Sequence, residues 1–497
     1  MIILRKAIPI FYSALLLTGV NLLLRFSGTA FQVFICSRLG AEGVGLLQLV
    51  LSVGSLSTTM AIAGIRTGAM YLTAQELGKK CPGSVRFVLS GCFTYSIFTG
   101  IIISAALNIG APFIAQHWVG DPRTVPALRL IAAFIPVSCL CSVMIGYFTA
   151  ANRIAALSAV EVAEQLCSMT ITATMLIFWS NHDPVRSCQC VILGSSLGSC
   201  LTLTCLMLLR ILEKPPKGAP IPIRSRLLQI AVPLALADDL KSGLNTLENL
   251  MVPKRLSLHR ATASPLSAFG TICGMVFPVL MFPAAILYAL AELLIPELAR
   301  CNAAGSNLRI RYLTRKSLRI AMLYGCLFSG LMFIAAEPLC MRLYKSKLAG
   351  HWLKRYAVLI PMLYCDAITD AMTKGLGQQT ACVRYNIITS AMDVAFLYLL
   401  LPKYGMTGYF ISFTVTHVLN FTLSLRRLLK ITNRKPRFHV ILNSAIAVTT
   451  AIAVCSCIPS CVLACICYPI VLICLFTLCN ITGTGDLRWL KNLVFAK

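Results

Sequence analysis

The chain has 497 residues, of which 58% are hydrophobic and 12% are charged, and its mean hydropathy is +0.80. Soluble domains carry about 25% charged residues, so this composition excludes an ordinary soluble fold. The formal net charge of +27 does not indicate nucleic-acid binding, because the basic residues lie between apolar runs and are not gathered on one folded face.

Apolar runs recur from end to end at the length of a transmembrane helix, which is about 20 residues. They predict an all-α integral membrane protein with about fourteen transmembrane helices, and the first run is expected to stay as a helix and not to be cleaved as a signal peptide. The spans are expected at residues 8–37, 44–72, 87–115, 125–150, 155–179, 185–209, 227–253, 267–296, 317–341, 352–373, 382–401, 406–425, 438–458 and 461–480.

Short internal matches indicate a duplication. The tripeptides Ala-Ile-Pro at 7–9 and Gly-Val-Asn at 19–21 recur 224 residues later as Ala-Val-Pro and Gly-Leu-Asn, and the Ile-Pro pair at 135–136 recurs 225 residues later. An even number of spans separates the copies, which gives two halves of parallel topology, as some transporters have. We therefore predict two pseudo-symmetric six-helix lobes at 1–212 and 227–436, a cytoplasmic linker at 213–226, and two further helices with a cytoplasmic tail at 437–497.

The basic residues orient these spans. With the N-terminus inside, most Lys and Arg fall in loops on the inner side, so the positive-inside rule predicts that both termini are cytoplasmic. The loop at 342–355 is basic but falls outside in this topology. Either this loop meets an anionic ligand or lipid, or the number of spans near it is wrong by one.

Ionisable side chains within spans are costly and therefore indicate function. At about 100° per residue, the first, second and seventh spans each carry one polar face. Such faces turn toward protein or water and not toward lipid, which predicts a water-accessible central cavity. The cavity residues expected to bind substrate are Arg25, Arg66, Asn21, Gln32, Lys241, Asn245 and Asn249.

Carboxyl groups within spans can titrate or bind Na⁺, which couples transport to an ion gradient. The candidates for ion coupling are Asp238, Glu248, Glu164 and Asp393. A role in packing remains an alternative for Glu164 and Asp393, as does hydrogen bonding between helices for the Ser and Thr stripes. The carboxyl groups near span ends are expected to be boundary residues; they are Glu292, Glu297, Asp366 and Asp370.

The sequence contains no enzyme motif of the P-loop, H-E-x-x-H or nucleophile-elbow type. Most of its 23 cysteines lie in apolar runs, where Cys behaves as a small hydrophobic residue. We therefore predict no catalytic residue, no metal site and no cofactor. Arginine binds phosphate bidentately and keeps its charge, so the cationic residues of the predicted cavity favour an anionic substrate.

Seven short motifs carry a resemblance to a known family. They are RLGAEGVG at 38–45, GIR at 64–66, EQ at 164–165, FPAAILYALAELLIPEL at 282–298, GLGQQ at 375–379, RYN at 384–386 and LPKYG at 401–405. In this order they resemble the sporulation proteins of the polysaccharide-flippase branch of the multidrug/oligosaccharidyl-lipid/polysaccharide exporter superfamily. The resemblance covers most of the chain.

The resemblance implies two lobes around a central cavity and transport by alternating access. It implies that the partner is a lipid-linked oligosaccharide or peptidoglycan precursor in the cytoplasmic membrane, that the protein acts during spore cortex formation, and that Arg25 and Arg66 match cavity arginines. Three alternatives stay open: a cation-coupled multidrug exporter of the same fold, a membrane enzyme that joins saccharides, and a non-transporting scaffold for wall synthesis.

Overall fold

The computed structural model describes residues 2–78, 82–179, 183–212, 224–260, 264–433 and 438–479, and within them the secondary structure is helical. The α-helices are α1 (Ile2–Ile62), α2 (Ile65–Gly78), α3 (Val85–Phe113), α4 (Val125–Ala150), α5 (Ile154–Phe178), α6 (Pro184–Leu212), α7 (Arg224–Leu256), α8 (Pro265–Gly270), α9 (Phe277–Met281), α10 (Ala284–Ala303), α11 (Asn307–Tyr344), α12 (Lys347–Ala357), α13 (Ile360–Gly375), α14 (Gln379–Ile431), α15 (Phe438–Ser456) and α16 (Cys461–Leu478). Short π-helical turns extend α3 and join α8 to α9.

Eight helical segments of the described residues are long and apolar enough to cross a membrane, and the bent pair Pro265–Met281 and Ala284–Ala303 adds a ninth. Two of the eight exceed a single span. The segment Leu22–Leu77 has 56 residues and Gln379–Ile431 has 53, whereas a bilayer needs about 20. The predicted seventh span, α7, is a helix of 33 residues that carries several charged side chains.

Glycines divide the two longest helices. Gly40 in α1 has φ 68° and ψ 178°, and Gly405 in α14 has φ 57° and ψ −138°. Only glycine adopts such conformations readily, so the parts of each helix on either side of its glycine are separate rods. With these breaks, eleven of the fourteen predicted spans each coincide with one helical segment of the described residues, and the other three each coincide with two or more. The predicted all-α membrane fold is confirmed.

Three predicted spans are interrupted. The second is broken at Ala63 and Gly64, which have φ values of 45° and 71°. The eighth bends by 64° between Met281 and Ala284, where Pro283 begins the next helix. The tenth is two helices, α12 and α13, with Pro361 in the first turn of α13. Proline fits a first helical turn but cannot continue a preceding one, which explains the last two interruptions.

The break at Gly64 predicts a measurable loss of stability. A Cβ added at Gly64 would lie 2.5 Å from the carbonyl oxygen of Ala231 in α7, and the positive φ disfavours any L-residue. We expect Gly64→Ala to lower the free energy of unfolding by about 2–4 kcal/mol, from strain and overpacking together. Thermal unfolding in detergent should show a lower midpoint. The control is Gly243→Ala, whose added Cβ meets nothing within 4 Å; equal midpoints for the two variants would contradict the prediction.

Contacts divide the chain into two compact units. One comprises Met1–Gly274 and Ser390–Ser412, and the other comprises Met275–Thr389 and Phe413–Lys497. The first unit takes in α7 and α8, which the duplication assigns to the second lobe. The lobes at 1–212 and 227–436 describe a sequence repeat and stay a prediction, and most of the linker at 213–226 and the tail after 479 lie outside the described residues.

Each unit has its own apolar core. In the first unit, α2, α3, α4 and α6 bury a cluster that includes Ile65, Met144 and Phe148. In the second unit, α11 packs against α15 and α16, and the hydroxyl of Tyr468 donates a hydrogen bond to the Cys326 carbonyl at 2.9 Å. These cores fix the helices from which the polar side chains of each unit project.

Candidate functional site

Arg25 lies on the first part of α1, beside the face that packs against α5. The side-chain amide of Gln165 in α5 donates to the Leu24 carbonyl at 3.1 Å, and a Cβ at Gly28 would lie 3.2 Å from the same nitrogen. Leu24 and Gly28 are one turn apart, so α5 covers their face. Arg25 is rotated from Leu24 by about 100° and is exposed.

Two other predicted residues share the polar stripe of Arg25. Gln32 is half-buried, and its amide nitrogen lies 3.7 Å from the Cys36 sulfur, which itself lies 3.0 Å from the Gly274 carbonyl. This chain of contacts ties the stripe to the segment between α8 and α9. Asn21 belongs to α1, but its side chain lies outside the described part of the chain.

Arg66 is the second residue of α2, directly after the break at Gly64, and is exposed. Its charge interacts with the carboxylate of Glu161 in α5, which also interacts with that of Glu164. The structure therefore gives Arg66 an acidic neighbour that the sequence did not assign to it. A substrate anion at Arg66 would compete with Glu161 for the same guanidinium.

Glu164 is held between α5 and α6. One carboxylate oxygen accepts a hydrogen bond from the Thr202 hydroxyl at 2.6 Å, and the other lies 3.5 Å from the Ser199 hydroxyl. Two hydroxyl groups from one neighbouring helix supply part of the hydrogen bonding that a carboxylate in the membrane needs. Thr202 and Ser199 are not recognisable from the sequence, because isolated hydroxyl residues in an apolar span resemble ordinary packing residues.

The predicted residues of α7 separate into two groups. Asn249 is half-buried and donates to the Ser52 hydroxyl in α1 at 2.9 Å, next to a hydrogen bond from the Thr246 hydroxyl to the Ser52 carbonyl at 3.0 Å. Asn249 therefore joins α7 to the second part of α1. The other members lie exposed on α7; they are Asp238, Lys241 and Asn245.

Glu248 in α7 and Asp393 in the first part of α14 meet although they are far apart along the chain. Their side chains are hydrogen-bonded to each other, and Asp393 is buried. One Asp393 oxygen also accepts from the Ser412 hydroxyl at 2.6 Å. Two carboxylates in contact repel, and a hydrogen bond between carboxyl groups needs a proton on one of them. The pair can therefore hold a proton, or a small cation in its place.

The surroundings of this carboxyl pair come from residues that sequence analysis did not predict. Cys273, after α8, lies 3.9 Å through its sulfur from the Tyr409 hydroxyl and is a neighbour of Glu248. Ser412 lies on the span that follows Asp393 across the break at Gly405. The only sequence signal for this partner is a hydroxyl residue on the span next to the one that carries Asp393, and this signal is weak.

Carboxyl groups near span ends in the second unit form local pairs. Asp370 and Lys374 lie 2.6 Å apart within one turn of α13, and Glu297 and Arg309 lie 2.6 Å apart between α10 and α11. These partly exposed pairs contribute little to stability. Glu297 and Asp370 lie within the last two turns of α10 and α13, and their role as boundary residues stays a prediction.

Comparison with known proteins gives three kinds of likeness. Residues 18–178 match the MatE family profile. Stage V sporulation protein B of Bacillus subtilis (strain 168) is 21% identical over 406 residues, which are 79% of this chain and 78% of that protein.

Two solved structures share the fold. The structure of the lipid II flippase MurJ in an inward closed conformation has a TM-score of 0.70 and 11% identity, and the likeness covers 95% of this chain and 100% of that one. An inward-facing multidrug resistance MATE family transporter has a TM-score of 0.66 and 14% identity, with 84% of this chain and 100% of that one covered. Together with the helices that are long and apolar enough to cross a membrane, these likenesses show a multi-pass membrane protein with the fold that the lipid II flippase and the MATE family transporter share.

Proposed function

We propose that this protein is a flippase that moves a lipid-linked oligosaccharide or peptidoglycan precursor across the cytoplasmic membrane by alternating access, in spore cortex formation. The observation that carries the proposal is the extent of the likeness. It covers 95% of the chain for the lipid II flippase, against 84% for the inward-facing multidrug transporter. The relative named stage V sporulation protein B supports the place in sporulation.

The chemistry of the predicted substrate residues supports an anionic ligand. Arg25 and Arg66 are both exposed on helices of the first unit, and guanidinium groups bind phosphate oxygens bidentately. The phosphate that links a saccharide to its lipid is such a ligand. Asn21, Gln32, Lys241, Asn245 and Asn249 supply the hydrogen-bond donors that the saccharide would need in this proposal.

We propose that both termini lie in the cytoplasm. We further propose that Na⁺ or H⁺ binding at Glu248 and Asp393 is coupled to transport. The two carboxyl groups share a hydrogen bond, and the Ser412 hydroxyl completes their oxygen set. Proton or cation occupancy there changes the charge between α7 and α14 by one unit, which supplies a way for a gradient to bias the position of these helices. Glu164 and Asp238 remain secondary candidates.

The second candidate function is a cation-coupled multidrug exporter of the same fold. The likeness to the inward-facing multidrug transporter and the carboxyl pair of Glu248 and Asp393 favour it. It requires a pocket that attracts cations, whereas Arg25 and Arg66 place positive charge on the first unit.

The deciding experiment uses the full-length protein in liposomes. A fluorescent lipid-linked peptidoglycan precursor is placed in one leaflet, and its accessibility from the other side is followed with and without Na⁺ and H⁺ gradients. We expect exposure of the precursor to rise above that in protein-free vesicles, while a labelled phosphatidylcholine does not move. Efflux of a cationic dye without movement of the precursor would favour the drug exporter. If the folded protein moves neither the precursor nor the dye, a non-transporting scaffold is favoured.

A further inference from the structure

The short helix α12 carries an exposed basic face that contains none of the predicted substrate or ion residues. Its buried side holds Ala349, Gly350, Trp352, Leu353, Tyr356 and Ala357. On the opposite side lie the exposed residues Lys347, Leu348, His351 and Arg355. At about 100° per residue these four fall within one arc of roughly 100°. Helix α12 is therefore amphipathic, with its apolar side packed on the protein and its basic side facing outward.

The neighbouring residues enlarge this surface. Arg342 in the last turn of α11 and Lys345 in the turn before α12 are exposed. No Asp or Glu occurs between Glu337 and Asp366. We call the surface formed by Arg342, Lys345, Lys347, Leu348, His351, Arg355 and Val358 the α12 patch. Within the part of the chain that the structure describes, its Lys and Arg side chains form no ion pair, so their charge is available to a partner.

Two contacts give the patch a fixed shape. The Arg355 guanidinium lies 5.0 Å from the centre of the buried Trp352 ring, and a hydrogen bond from the Ala349 amide to the Ser346 hydroxyl caps the start of α12 at 3.2 Å. Cation–π contact of this kind restrains a guanidinium without neutralising it. Arg355 is thus held in place while its charge stays exposed.

Apolar side chains on the same surface decide what kind of partner fits. Leu348 is 49% exposed and Val358 is 62% exposed. The patch begins at the end of α11, a helix apolar enough to cross a membrane, so it lies at a membrane boundary. A helix face that combines basic residues with exposed aliphatic ones is typical of binding to a surface of anionic lipid. A purely aqueous anion would make no use of Leu348 and Val358.

We propose that the α12 patch binds the headgroups of anionic phospholipids, with the cations at the phosphates and with Leu348 and Val358 in the acyl boundary. Binding of anionic lipid also explains why the basic loop at 342–355 lies on the predicted outer side, against the positive-inside pattern. The assignment is independent of the transported substrate and of the proposed flippase activity.

The test uses purified full-length protein in a neutral detergent, titrated with fluorescent phosphatidylglycerol or phosphatidylcholine. Each Lys or Arg near an anionic lipid surface strengthens binding about fivefold, so we expect Arg342→Gln/Lys347→Gln/Arg355→Gln to weaken phosphatidylglycerol binding on the order of a hundredfold. The control Arg86→Gln/Arg315→Gln/Arg426→Gln removes the same charge from exposed sites elsewhere and should leave the affinity nearly unchanged. Phosphatidylcholine should bind weakly to all three proteins.

Two further variants distinguish binding of a lipid from loss of the fold and from binding of a soluble phosphate. Arg342→Gln/Lys347→Gln keeps Arg355 on Trp352 and should still weaken binding about 25-fold, even if the triple variant is unstable. Leu348→Ser/Val358→Ser should weaken phosphatidylglycerol but not inorganic pyrophosphate. Equal affinity of the double basic variant and the wild type would overturn the proposal. Binding of pyrophosphate at the patch as tightly as phosphatidylglycerol would also overturn the proposal, because it would indicate that the ligand is a soluble phosphate.

Discussion

Alanine at Arg25 is expected to slow flipping of a lipid-linked precursor by about tenfold to a hundredfold, because a hydrogen bond to a charged group contributes about 1.5–3 kcal/mol. Arg25 is exposed, so its loss leaves no buried cavity. Arg25→Lys should keep part of the rate, since an ammonium group retains the charge but not the bidentate geometry. Initial rates of precursor exposure in proteoliposomes measure the effect.

The control for this prediction is Arg315→Ala, an exposed arginine of α11, which should leave the rate unchanged. Arg66→Ala needs a second control, because the Arg66 charge interacts with that of Glu161. If the role of Arg66 is only to neutralise Glu161, Arg66→Ala/Glu161→Gln should recover the wild-type rate; if Arg66 binds substrate, it should not. Wild-type flipping by Arg25→Ala/Arg66→Ala would refute the cationic substrate site.

Neutralising either member of the carboxyl pair is expected to remove the dependence of transport on an ion gradient. One elementary charge moved through 100 mV corresponds to about 2.3 kcal/mol, or roughly fiftyfold in rate or accumulation. Asp393→Asn keeps an oxygen that can accept from the Ser412 hydroxyl, so folding should tolerate it. Glu248→Gln and Asp393→Asn should each abolish most of the stimulation by a gradient while transport without a gradient persists.

The double variant sharpens this test. Residues that act as one unit give non-additive effects, so Glu248→Gln/Asp393→Asn should be no worse than either single variant. The control is Asp121→Asn, outside the spans, where the Asp121 carboxylate accepts from the Arg123 guanidinium at 2.8 Å. That hydrogen bond holds the pKa of Asp121 below its usual range, so it stays ionised at neutral pH and supplies no titrating group. Full gradient stimulation in both single variants would place coupling elsewhere, with Glu164 as the next candidate.

The motifs that carried the family resemblance have local physical reasons in the structure. The glycine of RLG is Gly40, and the glycine of LPKYG is Gly405; each ends one rod and starts the next with a positive φ. The glycine of GIR is Gly64, whose backbone approaches Ala231 closely. These motifs therefore mark the joints of the fold, while Arg66 is the member of GIR that can also contact a ligand.

Only part of the candidate site is predictable from the sequence. Charge within an apolar span identified Glu248, Asp393 and Glu164 one at a time, because the cost of burying an ionisable group is visible from composition alone. It did not show that Glu248 and Asp393 bond to each other, nor that Thr202 and Ser412 complete the two carboxylate environments. Those partners lie on other spans, and helical periodicity relates residues within one helix and not between helices.

The sequence by itself determined the class of protein, the fourteen spans and the polar faces of α1 and α7, because hydropathy and the 3.6-residue period are properties of each segment alone. Only the tertiary structure decided that α12 separates from α13 and presents a basic face, that Asn249 bonds to Ser52, and that Glu248 meets Asp393. These outcomes depend on which helices pack together and at what rotation. Such packing is the sum of many contacts between distant parts of the chain, and no single segment specifies it.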